Sequence, residues 1–91
     1  MTGEQIIRQA RPEDAERCGE IAVAAWTPIF EEWRDLLGAD LWEQIFGDWA
    51  ARKRASVVCQ VRDHPGHAIV TERKGTIVAF LTWRLHRARA V

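Results

Sequence analysis

Hydrophobic and polar positions alternate most clearly near the C-terminal end of the chain. Ala68-Ile69-Val70-Thr71-Glu72 is rich in β-branched residues, and Thr76 to Leu85 is a longer, mostly apolar run. Arg73-Lys74-Gly75 lies between them, with Gly75 suited to a positive φ. Two such runs around a short Gly-containing segment predict a β-hairpin. A lone hairpin is barely stable in water, so the preceding chain must cover it. Gln5-Ile6-Ile7-Arg8-Gln9-Ala10 predicts one more short strand.

Between these strands the apolar spacing changes to steps of three and four, the helical period. Arg11-Pro12-Glu13-Asp14 opens a first helix, with Pro12 at a position where its missing N–H costs nothing. Ala15, Cys18, Ile21, Ala22, Ala25 and Trp26 form its apolar face, and Glu13, Arg17 and Glu20 fall on the solvent side. Gly19 costs helix propensity of about 1 kcal/mol and suggests a close approach to the sheet. Thr27-Pro28 predicts a break and a restart, with Thr27 as cap. Ile29, Phe30, Trp33, Leu36 and Leu37 make a second apolar face, ended by Gly38. Asp40 and Glu43 have capping-box spacing before a third helix that carries Leu41, Trp42, Ile45, Phe46 and Trp49. Gly47 weakens it, yet with no turn signal before Ser56-Val57-Val58-Cys59-Gln60-Val61, the helix is expected to run to about residue 61. Asp63-His64-Pro65-Gly66 is the turn into the hairpin.

The order is strand, helix, helix, helix, strand, strand. The expected fold class is α/β (α+β), with a three-stranded antiparallel sheet in which the first strand lies beside the second. Residues 1–91 are expected to form a single domain. A composition of 47% hydrophobic and 29% charged residues is that of a globular chain. No apolar run is long enough to span a membrane. The N-terminus lacks a secretory pattern, so a cytoplasmic protein is expected. Cys18 and Cys59 give no disulfide framework and are expected to be reduced and buried.

Net charge is zero but divided: residues 1–50 hold 4 basic and 11 acidic side chains, and residues 51–91 hold 9 basic and 2 acidic. Such a split can steer an anionic ligand to the C-terminal half, or reflect two halves that pack together and offset each other.

Several residues are of types that carry chemistry. Cys59, His64, His67 and His86 are of metal-ligand type but lack the paired close spacings of a zinc site. Cys18 lies on an apolar face, as an inert buried thiol does. Glu31 and Glu32 are adjacent on a helix and point apart. No Gly-rich phosphate loop occurs. Arg52-Lys53-Arg54 and the run Arg84-Leu85-His86-Arg87-Ala88-Arg89, with Trp83 nearby, are of a type that binds single-stranded nucleic acid, but the set is short and the chain is neutral overall, against the strongly basic habit of such domains. Trp26, Phe30 and Trp33 sit near the junction of the first two helices, where they pack as core or line a pocket for an organic substrate.

Four stretches together resemble the N-terminal half of a GNAT-family N-acetyltransferase. Ile6-Ile7-Arg8-Gln9-Ala10-Arg11-Pro12-Glu13-Asp14-Ala15 is similar to the family's opening strand and the Asp-Ala start of its first helix. Ala24-Ala25-Trp26 and Gly38-Ala39-Asp40-Leu41-Trp42 continue it. Ile69 to Phe80 is similar to its second and third strands, with Ala79 where members often carry Gly. The resemblance implies acetyl transfer from acetyl-CoA to the amine of a small molecule or protein. It also places the cofactor site in later segments: a fourth strand that holds the pantetheine arm, an Arg/Gln-x-x-Gly-x-Gly/Ala loop at a helix N-terminus that binds the pyrophosphate, and a Tyr that often serves as general acid. None of these is present here, and the chain contains no Tyr. No catalytic or cofactor-binding residue carries over, and this chain alone is expected to be inactive and not to bind acetyl-CoA. The first two helices match the region that shapes the acceptor pocket, which points to Trp26, Phe30 and Trp33. The edge of the last strand is expected to be open, so that a second copy or a complementary chain can pair with it.

Overall fold

The computed structural model describes residues 5–83. Six main elements follow in order: β1 (Gln5–Gln9), α1 (Ala15–Leu37), α2 (Ala39–Phe46), α3 (Trp49–Asp63), β2 (Ala68–Arg73) and β3 (Thr76–Thr82). Single 3-10 turns at Pro12–Asp14 and Pro65–His67 lead into α1 and β2. The class is α+β: one antiparallel sheet in the order β1-β2-β3, covered on one face by helices.

The hairpin forms as its pattern predicts, with Arg73 opposite Thr76 and a two-residue turn at Lys74-Gly75. Both turn residues have positive φ, 53° and 79°, the requirement of the tight turn whose twist matches a hairpin. Gly75 adopts this freely, whereas Lys74 bears the steric cost of its Cβ. Arg73 therefore belongs to the strand, not to the turn. Thr71 faces Ala79 and Glu72 faces Ile77, so Val78 is the extra residue of a bulge in β3. The expected continuation of β3 through Arg84 and Leu85 lies outside the described residues, as do His86, Arg87 and Arg89.

Cross-strand pairing sets the two sheet faces. Arg8, Val70 and Phe80 are aligned on one face, and Gln9, Ile69 and Leu81 on the other. The first face is the helix-covered one. There Ala68, Val70 and Ile77 join Ala10, Ala15, Cys18, Val58 and Val61 in the core. These are mostly small side chains, so the helices approach closely. On the second face Ile7 and Leu81 are exposed.

Three helix boundaries differ from the pattern. The first predicted break, at Thr27-Pro28, does not occur: α1 is one helix of 23 residues with Pro28 inside it. Pro28 cannot donate to the Ala24 carbonyl, but both residues lie on the exposed side, where water can take that bond. The Thr27 hydroxyl donates to the Val23 carbonyl at 2.7 Å, not to a helix N-terminus. Contacts with α3 lie on both sides of the proline, at Gly19 and at Phe30.

The predicted third helix is instead two. Gly47 and Asp48 interrupt it, with the Gly47 N–H closing α2 on the Glu43 carbonyl at 3.0 Å. The Asp48 carbonyl then accepts from the Arg52 N–H at the start of α3. Asp40 is not a cap: α2 starts at Ala39, and the Gly38 carbonyl accepts the Trp42 N–H at 3.0 Å. Gly38, with φ 87°, both ends α1 and starts α2. Ser56 to Val61 is helical, as expected, and α3 continues to Asp63.

Gly19 makes its close approach to a helix rather than to the sheet. A Cβ there would lie 2.9 Å from Arg54 Cγ and 3.0 Å from Val58 Cγ2, so the missing side chain lets α1 and α3 touch.

Candidate functional site

Trp26, Phe30 and Trp33 recur on one side of α1 at helical spacing, and the fold brings them to α2 and α3. Phe30 is the hub. It stacks on Trp49 at 4.2 Å between ring centroids with planes 9° apart. It also meets Trp33 at 5.0 Å and Phe46 at 5.5 Å edge to face, and Trp26 at 6.1 Å. Trp33 lies 5.6 Å from Phe46. Such ring pairs add about 0.5–1.5 kcal/mol each beyond their buried area. The rings pack on one another, while Trp26 and Trp33 each keep 37% of their surface exposed. The Lys53 ammonium sits 4.6 Å from the centre of the Trp26 ring, a cation–π contact on the exposed side. Phe46 and Trp49 are members that sequence reasoning missed. Both stood on the apolar face assigned to the third helix, but no spacing rule pairs that face with Phe30.

A concave feature lies elsewhere, at the C-terminal end of α3. Ser56, Cys59, Gln60, Asp63, His64, His67 and Trp83 line an open groove of about 530 Å³. The His64 and His67 rings lie 6.0 Å apart and nearly parallel, and His67 lies 6.2 Å from Trp83. Cys59, His64 and His67 thus share one groove. Among the described residues, however, no three His, Cys, Asp or Glu side chains are grouped so as to hold a metal ion. His86 is outside the described residues.

The two cysteines have different surroundings. Cys18 is buried in the core, where desolvation pushes its thiol up to about 11. Cys59 is exposed on α3, contrary to the expectation that both are buried. The core-facing residues of α3 are Val58 and Val61, and Cys59 falls between them on the outer side.

The charged set is largely engaged within the chain. Arg54 and Arg62 both reach Glu16, which ties the basic half to the acidic half and, mainly through its bond with Arg54, holds the Glu16 carboxyl below its usual range. Arg52 pairs with Asp48 at 2.9 Å, and Lys53 is over Trp26. The Arg52-Lys53-Arg54 run is therefore three separate contacts rather than a free basic patch. No helix among the described residues is long and apolar enough to cross a membrane.

Comparison with protein-family profiles, curated proteins and solved structures finds no match to this chain.

Proposed function

We propose that the chain forms the N-terminal part of a GNAT-like N-acetyltransferase fold, whose chemistry is acetyl transfer from acetyl-CoA to an amine by direct attack. The observation that carries this reading is the sheet order β1-β2-β3, which leaves β3 on an edge, where a fourth strand joins in the resembled family. The strand–helix–helix–helix–strand–strand order also supports it. Trp26, Phe30 and Trp33 then belong to the acceptor side, where the exposed part of Trp33 is available to an amine-bearing substrate while the Lys53 ammonium already lies over the Trp26 ring. The 91 residues include no Gly-rich loop for a pyrophosphate, so the chain alone neither binds acetyl-CoA nor turns over. Isothermal titration of the chain with acetyl-CoA is expected to show no binding. Micromolar affinity would place the cofactor on this part of the fold and overturn that assignment. Sequencing the DNA that follows codon 91 tests the family reading itself, since a Gly-x-Gly loop in any frame supports it.

A second reading is favoured by the same edge. Val78 and Leu81 on β3 are exposed apolar residues in an edge strand, a template for an added strand. The chain is then an interaction module that pairs with a second copy or a complementary half. An intergenic region after codon 91, together with a complex that a lysine at Leu81 dissolves, would favour this reading.

A further inference from the structure

His64 and His67 stand at the two ends of one tight turn. Pro65–His67 is a single 3-10 turn, and the His67 N–H donates to the His64 carbonyl at 2.9 Å. Side chains three residues apart eclipse in such a turn. The two imidazoles accordingly lie side by side, 6.0 Å apart between ring centroids with planes 15° apart. Pro65 restricts the backbone between them. The Trp83 N–H, donating to the His67 carbonyl at 3.1 Å, ties the turn to the end of β3. The spacing of the pair is thus set by backbone, while His64 is exposed and His67 half-buried.

A transition-metal ion lies about 2.0–2.1 Å from the imidazole nitrogen that binds it, and so about 3.2 Å from the ring centre. Two imidazoles that share an ion therefore have centroids at most about 6.4 Å apart. The separation of 6.0 Å falls inside that reach. The surroundings favour a cation. Asp63 lines the groove and no Lys or Arg does. The groove also lies at the C-terminal end of α3, the negative end of its dipole. Cys59 lines it too, but among the described residues no third His, Cys, Asp or Glu is grouped with the pair. Two nitrogens are too few for a zinc site, which takes three or four protein ligands. Affinity for nitrogen ligands peaks at Cu2+, which accepts a planar set of nitrogens and oxygens. We propose that His64 and His67 together hold a Cu2+ ion, with water in its remaining positions. The ion clips the end of α3 to the start of β2, so binding stabilises the folded chain by mass action. This inference does not depend on acetyl transfer, and its site is separate from the cluster around Phe30.

The test is a Cu2+ titration of the 91-residue chain across the micromolar range, followed by electron paramagnetic resonance. It is run on the Cys59→Ser chain, which removes an exposed thiol that Cu2+ would oxidise. One bound ion with nitrogen couplings from two imidazoles is expected, together with a higher melting temperature. His64→Gln and His67→Gln are each expected to weaken binding by about tenfold or more and to abolish the gain in melting temperature. His86→Gln is expected to change neither. Should His67→Gln unfold the chain, the exposed His64 still permits the test by His64→Gln alone. No binding in the micromolar range, an ion retained at full affinity in the His64 variant, or one lost with His86→Gln overturns the proposal.

Discussion

The Arg8 guanidinium grips both carboxylate oxygens of Asp14, with its Nη1 2.8 Å from Oδ2 and its Nη2 3.2 Å from Oδ1. The same carboxylate accepts the Arg11 N–H at 2.8 Å, and Arg8 Nε donates to Glu72 on the neighbouring strand. One side chain on β1 thus fixes the corner into α1 and ties it to β2. Asp14 is buried, so its charge depends on these donors. Asp14→Ala is expected to cost about 1.5–3 kcal/mol, because it leaves the Arg8 charge partly buried and its donors unpaired. For a domain of this size that lowers the melting temperature by roughly 4–8 °C per kcal/mol. Thermal unfolding followed by circular dichroism checks it, and a shift within error would remove the corner from the stability of the fold.

The same pair predicts an acid limb. Its bond with Arg8 holds the Asp14 carboxyl below its ordinary range. A carboxyl whose pKa is depressed on folding stabilises the protein above its unfolded value of about 3.9. That contribution is lost as pH falls below about 4 through the lower folded value. Urea midpoints measured from neutral pH down to pH 3 should therefore fall more steeply for the parent chain than for Asp14→Asn. Parallel curves would show that Asp14 does not carry the linkage.

Gly19 is the contact point of α1 and α3. Gly19→Leu must displace Val58 and the stem of Arg54, and the overpacking is expected to cost about 1–3 kcal/mol. The experiment compares it with Gly38→Leu, where nothing lies within 4 Å and the cost comes from the positive φ alone. A better-folded Gly19→Leu variant would contradict the close approach.

Thiol labelling should separate the cysteines. At neutral pH the exposed Cys59 is expected to react with a disulfide reagent within minutes, and Cys18 only after denaturant is added. Burial hides Cys18, and its raised pKa leaves a thiolate fraction of about one in ten thousand at pH 7. Two equivalents reacting at one fast rate would mean that the core around Cys18 opens readily.

Phe30→Ala removes the hub of the aromatic cluster and is expected to cost about 2–4 kcal/mol, slightly less than a fully buried phenylalanine. It should also red-shift the tryptophan emission, since Trp49 loses its stacked partner. Phe30→Leu restores much of the volume and is expected to recover most of the stability. If Phe30→Ala left both the stability and the emission unchanged, the cluster would have no role in packing α1 against α3.

The sequence by itself determined the elements whose cause is local. Period-two alternation and Gly75 were enough for the hairpin, and Gly38 was enough for the stop after Leu37, because positive φ is a property of single residues. Steps of three and four marked the apolar faces of the helices. What faced what was decided only by the tertiary structure. Pro28 reads as a break because it lacks an N–H, yet α1 continues through it, with contacts to α3 at Gly19 and Phe30 on either side. Trp26, Phe30 and Trp33 showed their shared side of a helix, whereas their partners Phe46 and Trp49 are distant in sequence and could be found only by folding. Gly19 announced a close approach that the sequence directed to the sheet, and the fold makes it to α3 instead. Local rules act through neighbours along the chain, whereas packing acts through neighbours in space, and the pairing of faces belongs to the second.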